Sequence, residues 1–262
     1  MPERKQNSHK GTFGKVLNIA GSEYMTGAAY LSSVSALKIG CGYCFLASKD
    51  EVIRAVSAQT QNIVFTPIED LINQIKTADV VSIGCGLSTD KTAQKIFNQT
   101  IKEIQEKPLV IDADGLNILT KTEYNLSEKT VLTPHPKEAS RLLNVPTEDI
   151  LKDTEKYAKE ISKKYGCTTV LKLHETIVCS KDLKTYKNTT GNSSLAKAGS
   201  GDVLTGFISG LLAQGMEEFE ASCLAVYLHG KCAELASADL TEYSVSAKDL
   251  IEYLPKAIKL ML

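Results

Sequence analysis

The residues best placed to do chemistry in this chain lie in the run Asn188-Thr-Thr-Gly-Asn-Ser-Ser-Leu-Ala-Lys-Ala-Gly-Ser-Gly-Asp202. Glycines, hydroxyls and one carboxylate stand there just ahead of an amphipathic helical pattern over residues 203–214. The first N–H groups of a helix lack intrahelical partners, and the helix dipole adds partial positive charge there. Gly199 and Gly201 let such a backbone approach a phosphate closely, with Asp202 beside the anion as a candidate base. The plainer reading is a turn whose Asp caps the helix, since Asp is a favoured N-cap residue. Spacing alone leaves both open.

Further polar groups need weighing. Asp112 and Asp114 are two residues apart, which in an extended segment turns both to the same side. They either cap a short helix at residues 115–119 or hold Mg²⁺ through water. His135 lies between Pro134 and Pro136, which stiffen its backbone, so a ligand contact is expected of it rather than a core position. Lys172 meets phosphate or is the solvated tip of an edge strand. His229, in a largely apolar helical run, reads as a packed core histidine, and His9 and Lys10 in an N-terminal arm receive no task. Gly84-Cys-Gly86 lacks the third glycine of a dinucleotide fingerprint, because Thr89 stands there, and this disfavours hydride-transfer enzymes. Cys41 and Cys44 have redox or zinc spacing, but the second falls in a strand pattern and no second ligand pair follows. Structural thiols are expected.

The elements that must position these groups alternate along the chain. Strand patterns fall at residues 16–20, 44–47, 80–83, 109–111, 131–132, 169–171, 176–179 and 185–186. Helical patterns fall at 27–39, 68–77, 89–105, 136–143, 147–165, 203–214, 218–238 and 247–260. Several strands are apolar throughout, as when helices cover both faces of a mainly parallel sheet, while the last two read as an antiparallel hairpin. Polar and glycine residues gather after successive strands, at Ala20-Gly-Ser22, Gly84-Cys-Gly86, Asp112-Ala-Asp114, Thr133-Pro-His-Pro136 and Lys172 to Thr176. Ligands of parallel sheets bind at the carboxyl ends of strands, and this convergence favours the phosphate reading of the glycine loop.

Composition narrows the classes. A chain of 262 residues, 43% hydrophobic and 23% charged, has the make-up of an ordinary globular α/β domain. A net charge of −1 gives no footprint for nucleic acid or an anionic membrane, and no apolar run has the length of a membrane span. Seven cysteines, an odd number, fit a reducing cytoplasm better than a disulfide framework.

Taken in order, these motifs resemble the ADP/ATP-dependent NAD(P)H-hydrate dehydratases, of the ribokinase-like fold. The resemblance runs from Ser8-His-Lys-Gly-Thr-Phe-Gly14 through Ala20-Gly-Ser22, Gly27-Ala-Ala29, Ile83-Gly-Cys-Gly-Leu87 and Ile111-Asp-Ala-Asp114. It continues through Leu132-Thr-Pro-His-Pro136 with Glu138, Val170-Leu-Lys172 with Thr176, Thr190-Gly-Asn192, Gly199-Ser-Gly-Asp-Val-Leu-Thr-Gly206 and Ala225-Val-Tyr-Leu-His-Gly230. It implies a three-layer ribokinase-like α/β fold over a single dehydratase domain, residues 1–262, which relatives often carry behind an epimerase domain in a longer bifunctional protein. It implies repair of the S-epimer of NAD(P)H hydrate: phosphoryl transfer to the 6-hydroxyl from ADP or ATP, then elimination of phosphate. Mg²⁺ and a homotetramer are expected with it. Asp202 takes the catalytic role; Ala28, Gly86 and His135, with Asp202, contact the hydrate. Lys172, Leu173, His174, Glu175, Thr176, Asn192, Gly199, Ser200 and Gly201 contact the nucleotide. The chain departs from the family pattern at Leu173, Ala198 and Lys137, where relatives usually have glycine, and Leu173 would crowd the nucleotide or strain the backbone if positive φ were required there. A small-molecule kinase of the same fold, of the hydroxyethylthiazole or pyridoxal type, is the alternative. A nucleotide-binding protein without turnover is a third reading.

Overall fold

The computed structural model describes residues Met1 to Leu262. Its strands are β1 (Lys15–Ile19), β2 (Tyr43–Ser48), β3 (Val64–Pro67), β4 (Val80–Ile83), β5 (Leu109–Ile111), β6 (Thr130–Leu132), β7 (Thr168–Leu171), β8 (Ile177–Cys179) and β9 (Thr185–Lys187). All join one sheet in the order β3-β2-β1-β4-β5-β6-β7-β8-β9. Pairing is parallel from β3 to β7, then antiparallel from β7 to β8 and from β8 to β9. The expected parallel sheet with a late hairpin is what forms.

The helices are α1 (Thr26–Ile39), α2 (Asp50–Ser57), α3 (Leu71–Thr77), α4 (Lys91–Glu103), α5 (Asp114–Leu119), α6 (Pro136–Leu143), α7 (Thr147–Lys152), α8 (Thr154–Tyr165), α9 (Ser200–Ala213), α10 (Glu218–Leu240) and α11 (Ala247–Lys259). Side chains alternate across a strand, and the two covering layers follow from that period. Val16, Val80, Val110, Val131 and Val170 face α1, α9, α10 and α11. Leu17, Val81, Leu109, Leu132 and Leu171 face α3 to α8. The fold is thus a three-layer sandwich with helices on both faces of the sheet.

Three expectations are corrected. A ninth strand, β3, pairs at the edge of the sheet, and α2 precedes it; neither was expected between residues 48 and 67. The single helix expected at 147–165 is broken at Asp153, whose backbone leaves the helical path and whose carboxylate accepts from the Lys156 amide to start α8. The helix expected to open at residue 203 opens at Ser200, which moves Gly201 and Asp202 into its first turn.

The chain runs β1, β2, β3 outward, then returns to place β4 on the other side of β1. That reversal opens a crevice at the carboxyl ends of β1 and β4, the place where doubly wound sheets take ligands. The Gly21 amide donates to the Cys85 carbonyl across it at 2.9 Å. At the other end of the strands an N-terminal arm closes the floor. The Arg4 guanidinium lies over the Phe13 ring at 4.1 Å, Lys10 over Tyr43, and a side chain on Gly42 would collide with the Lys10 carbonyl. Lys10 thus stands at the end of the sheet opposite the crevice.

Candidate active site

The glycine loop is fixed by shape before any ligand arrives. Gly199 has φ +90°, and a Cβ there would stand 2.6 Å from Leu31 and 2.9 Å from Ala247, so only glycine fits. Gly201 follows as the second residue of α9, and a Cβ on it would lie 3.3 Å from the Lys172 Nζ. Asp202 is in the first turn of α9, not at its N-cap, and makes no hydrogen bond to the backbone there. Of the two readings of the loop, the capping one is therefore not what Asp202 does. Its carboxylate lies with Asp112 and the Cys85 thiol, one donor atom from each within 4.8 Å of the others.

Asp112 anchors this group. It is almost fully buried at the end of β5, accepts from Lys172 Nζ at 2.5 Å and from Thr205 Oγ1 at 2.8 Å, and has Cys85 Sγ at 3.9 Å. Burial pushes its pKa up, but the Lys172 charge and these hydrogen bonds outweigh that and leave it below the usual carboxylate range. Lys172 is held above its ordinary value, because the Asp112 and Glu138 charges outweigh its desolvation. Of the two roles weighed for Lys172, the solvated tip is not what it plays: it is ion-paired with Asp112 and lies beside Gly201 of the loop.

Asp202 differs from Asp112 in having no cation of its own. Burial, and the negative charge of Asp112 next to it, push its pKa up to about 6. A carboxylate so placed is ionised at neutral pH yet basic enough to take a proton from a hydroxyl. Asp114 does not join them. Ala113 adopts φ +47°, ψ −115°, which breaks the extended alternation, and Asp114 turns away to accept from the Ser88 amide at 2.8 Å. Asp112 and Asp114 thus neither share a side nor cap α5.

Around this centre stand the other expected contacts. A Cβ on Gly86 would be 2.9 Å from the Ala28 Cβ and 2.7 Å from that of Met25, so Gly86 and Ala28 meet across the crevice beside Cys85. Asn18 in β1, fully buried, supports α1 below Ala28: it donates to Ser32 Oγ (2.7 Å) and Ser33 Oγ (2.9 Å) and accepts from Ser82 Oγ, and Ser32 Oγ donates to the Ala28 carbonyl. His135 is half exposed and caps α6, its Nδ1 accepting from the Lys137 amide at 3.1 Å. Nδ1 is therefore unprotonated and Nε2–H points toward Glu138 Oε1 at 3.4 Å. Glu138, buried, accepts from the His135 amide at 2.8 Å and is pushed up to about 7 by burial, with Lys172 opposing and Asp112 adding to the shift.

The loop after β7 is tight. Thr176 Oγ1 donates to the Leu173 carbonyl at 3.0 Å, and the Lys172 amide donates to the Pro134 carbonyl at 2.8 Å. Leu173 does not occupy the left-handed region, and its side chain packs on the core of the α3–α8 face. The backbone strain expected from its replacing glycine does not arise. Ala198 is exposed and unstrained in the same sense. His174 and Glu175 lie exposed at the rim, Glu175 paired with Lys187. Asn192 caps a 3-10 turn at Ser193–Leu195.

Sequence reasoning missed two features: the Asp112–Lys172 pair, sixty residues apart in the chain, and His229. The latter is buried and packs edge-on to Phe207, as expected of a core histidine, but its Nε2 also reaches Ser200. All seven cysteines are free thiols.

Residues 16–256 match the sequence family of NAD(P)H-hydrate dehydratase. The chain is similar to the ADP-dependent (S)-NAD(P)H-hydrate dehydratase of Neisseria meningitidis, with 39% identity over 88% of this chain and 80% of that one. It is also similar to the bifunctional NAD(P)H-hydrate repair enzyme of Thermofilum pendens, with 32% identity; 99% of this chain matches, spanning about half (52%) of that longer protein. Its structure superposes on that of the ADP/ATP-dependent NAD(P)H-hydrate dehydratase of Bacillus subtilis, co-crystallised with ATP and Mg²⁺, with TM-score 0.91 and 32% identity over 100% of this chain and 95% of that one. A ribokinase-like superfamily protein of Enterococcus faecalis superposes with TM-score 0.90 and 32% identity, over 98% of this chain and 91% of that one.

Proposed function

The chain belongs to the NAD(P)H-hydrate dehydratase family, and on that premise we propose that it dehydrates the S-epimer of NAD(P)H hydrate to NAD(P)H at the expense of ADP or ATP. One observation carries the reading at the level of chemistry: a carboxylate raised to about 6, Asp202, stands in the first turn of a buried helix beside two glycines and an ion-paired lysine.

The steps follow from that geometry. The nucleotide's terminal phosphoryl group lies against the amides of Gly199, Ser200 and Gly201, where the helix dipole and unpaired N–H groups stabilise the charge that develops on it. The hydrate sits in the crevice against Ala28 and Gly86, with His135 at its edge and its 6-hydroxyl toward Asp202. As the hydroxyl oxygen bonds to phosphorus, its proton passes to Asp202 and AMP or ADP departs. The ring nitrogen lone pair then expels phosphate, which leaves with the electrons of the C–O bond, and loss of the neighbouring ring proton completes the double bond. A hydroxyl that leaves poorly has become a phosphate that leaves well.

Mg²⁺ suits the oxygens of this site but not the Cys85 thiol, and Asp112 is already committed to Lys172. The ion would be held chiefly by water and nucleotide phosphates, with Asp112 and Asp202 accepting from its waters. It would supply charge neutralisation on the phosphates. The site residues, the single-domain extent over residues 1–262, a homotetramer and a cytoplasmic location are part of this proposal; no helix is long and apolar enough to cross a membrane.

Incubation with hydrated NADH and either nucleotide tests the reading. Recovery of reduced-nicotinamide absorbance with release of phosphate is expected. A stable phosphorylated product instead, from a vitamin precursor, would replace it with the kinase alternative.

A further inference from the structure

His229 stands on α10, outside every residue given a task above, yet its ring is aimed at the glycine loop. Nε2 lies 3.0 Å from the Ser200 carbonyl and 3.2 Å from Ser200 Oγ. A carbonyl only accepts, so the hydrogen of the neutral ring sits on Nε2 and is shared between the two Ser200 oxygens. The ring stays neutral because burial pushes its pKa down to about 4, with the Lys172 charge lowering it further against the Ser200 hydrogen bond. Phe207, about two turns further along α9, meets the ring edge-on at 6.3 Å and fixes its plane. Ser200 is itself buried and is the first residue of α9, its amide following Gly199.

This contact changes what Ser200 can do. With Oγ accepting from the imidazole, the hydroxyl hydrogen is free to donate elsewhere. With its carbonyl held, the peptide from Ser200 to Gly201 cannot rotate, so the Gly201 amide is fixed in direction as well.

We propose that His229 is a positioning residue for nucleotide binding: through the Ser200 carbonyl and hydroxyl it orients two phosphate donors, the Ser200 Oγ–H and the Gly201 N–H. The inference rests on the nucleotide reading of this loop, but not on the hydrate being the acceptor.

The test is ADP binding to the whole protein with Mg²⁺, measured by calorimetry without hydrate, alongside Michaelis constants for nucleotide and hydrate. His229→Phe keeps the packing on Phe207 and loses the donor, and should weaken ADP binding about tenfold, the weight of one buried hydrogen bond. The hydrate KM should not move. His229→Gln, whose amide nitrogen falls near the position of Nε2, should restore most of the affinity. Ser200→Ala should weaken ADP by a similar factor, and the double variant should be no worse than either single one. Wild-type ADP affinity in His229→Phe, or additive losses in the double variant, would overturn the proposal. If His229→Phe does not fold, His229→Leu takes its place beside His229→Gln: a tenfold loss in the first with near-normal ADP affinity in the second supports the proposal, and equal affinities in the two sink it. Failure to turn over hydrate with ADP binding and its His229 dependence intact would count against the substrate assignment alone.

Discussion

The helices α9 and α8 cover opposite faces of one sheet and are built in opposite ways. In α9, 12 of 14 residues are buried; in α8, 3 of 12 are. The amphipathic pattern expected over residues 203–214 is corrected here: every residue from Val203 to Ala213 is buried, because Thr205 and Ser209 are too few to make a polar face, and α9 is enclosed by α1 on one side and α10 on another. Gly206 and Gly210 allow α1 to approach: a Cβ on Gly206 would lie 2.3 Å from the Ser32 carbonyl, and one on Gly210 would lie 2.2 Å from an Ile39 methyl. By contrast α8 presents Lys156, Lys159, Glu160 and Lys163 to solvent and buries only Ala158, Ile161 and Ser162. The chemistry sits on the enclosed helix. A loop that must hold amides and a carboxylate in fixed directions is better anchored to an element that cannot shift than to a cover that can.

The largest expected effect is at the mouth of α9. Asp202→Asn removes the base and should lower turnover about 10²–10⁴-fold, with ADP binding retained. Hydrate turnover within a few-fold of wild type would remove Asp202 from the mechanism. Next, Gly206→Leu forces α1 and α9 apart and should cost about 3 kcal/mol in denaturant unfolding. A loss below 1 kcal/mol would show the enclosed helix to be looser than its contacts imply.

A smaller effect concerns pH. The folded pKa of Asp202 is raised from 3.8 to about 6, so its protonated form favours folding below pH 4 and that contribution is lost as pH rises through 6. Asp202→Asn does not titrate there. Its melting temperature should therefore gain on wild type between pH 4 and 6.5 and hold a gap worth about 1–2 kcal/mol above that, the site being partly open to water. A gap that narrows with rising pH would reverse the sign of the argument. The smallest effect is on α8: Lys159→Ala breaks an exposed pair with Glu155 and should change stability by less than about 0.5 kcal/mol.

The same contrast explains what the sequence disclosed. Elements with strong local signals were legible: α6 has Pro136 at its start and His135 and Glu138 as a reciprocal cap, and its expected span matches Pro136–Leu143. The polar strand ends were legible because each follows its strand directly. β3 was not, since it is an edge strand of four residues with Val64 exposed and Pro67 closing it, too short for a pattern. By contrast α2 carried a readable signal, with Asp50 and Glu51 in its first turn and buried Val52 and Val56 one turn apart. What no local pattern could supply was the pairing of Asp112 with Lys172 and the reach of His229 to Ser200. Both are made by sheet order and helix packing between distant segments. Leu173 errs in the other direction: a departure from the family pattern looked costly, but the backbone there needs no glycine.

Ala113 carries a consequence for anyone who would make this protein more heat-resistant. It holds a left-handed conformation between Asp112 and Asp114, which sends one carboxylate into the site and the other away from it. An alanine so placed costs of order 1–3 kcal/mol, which a glycine would recover in part, less what the freer unfolded chain gives back. The substitution that most directly raises the melting point would also loosen the joint that aims Asp112 at Lys172. At this residue durability and aim are opposed, and the chain as it stands favours aim.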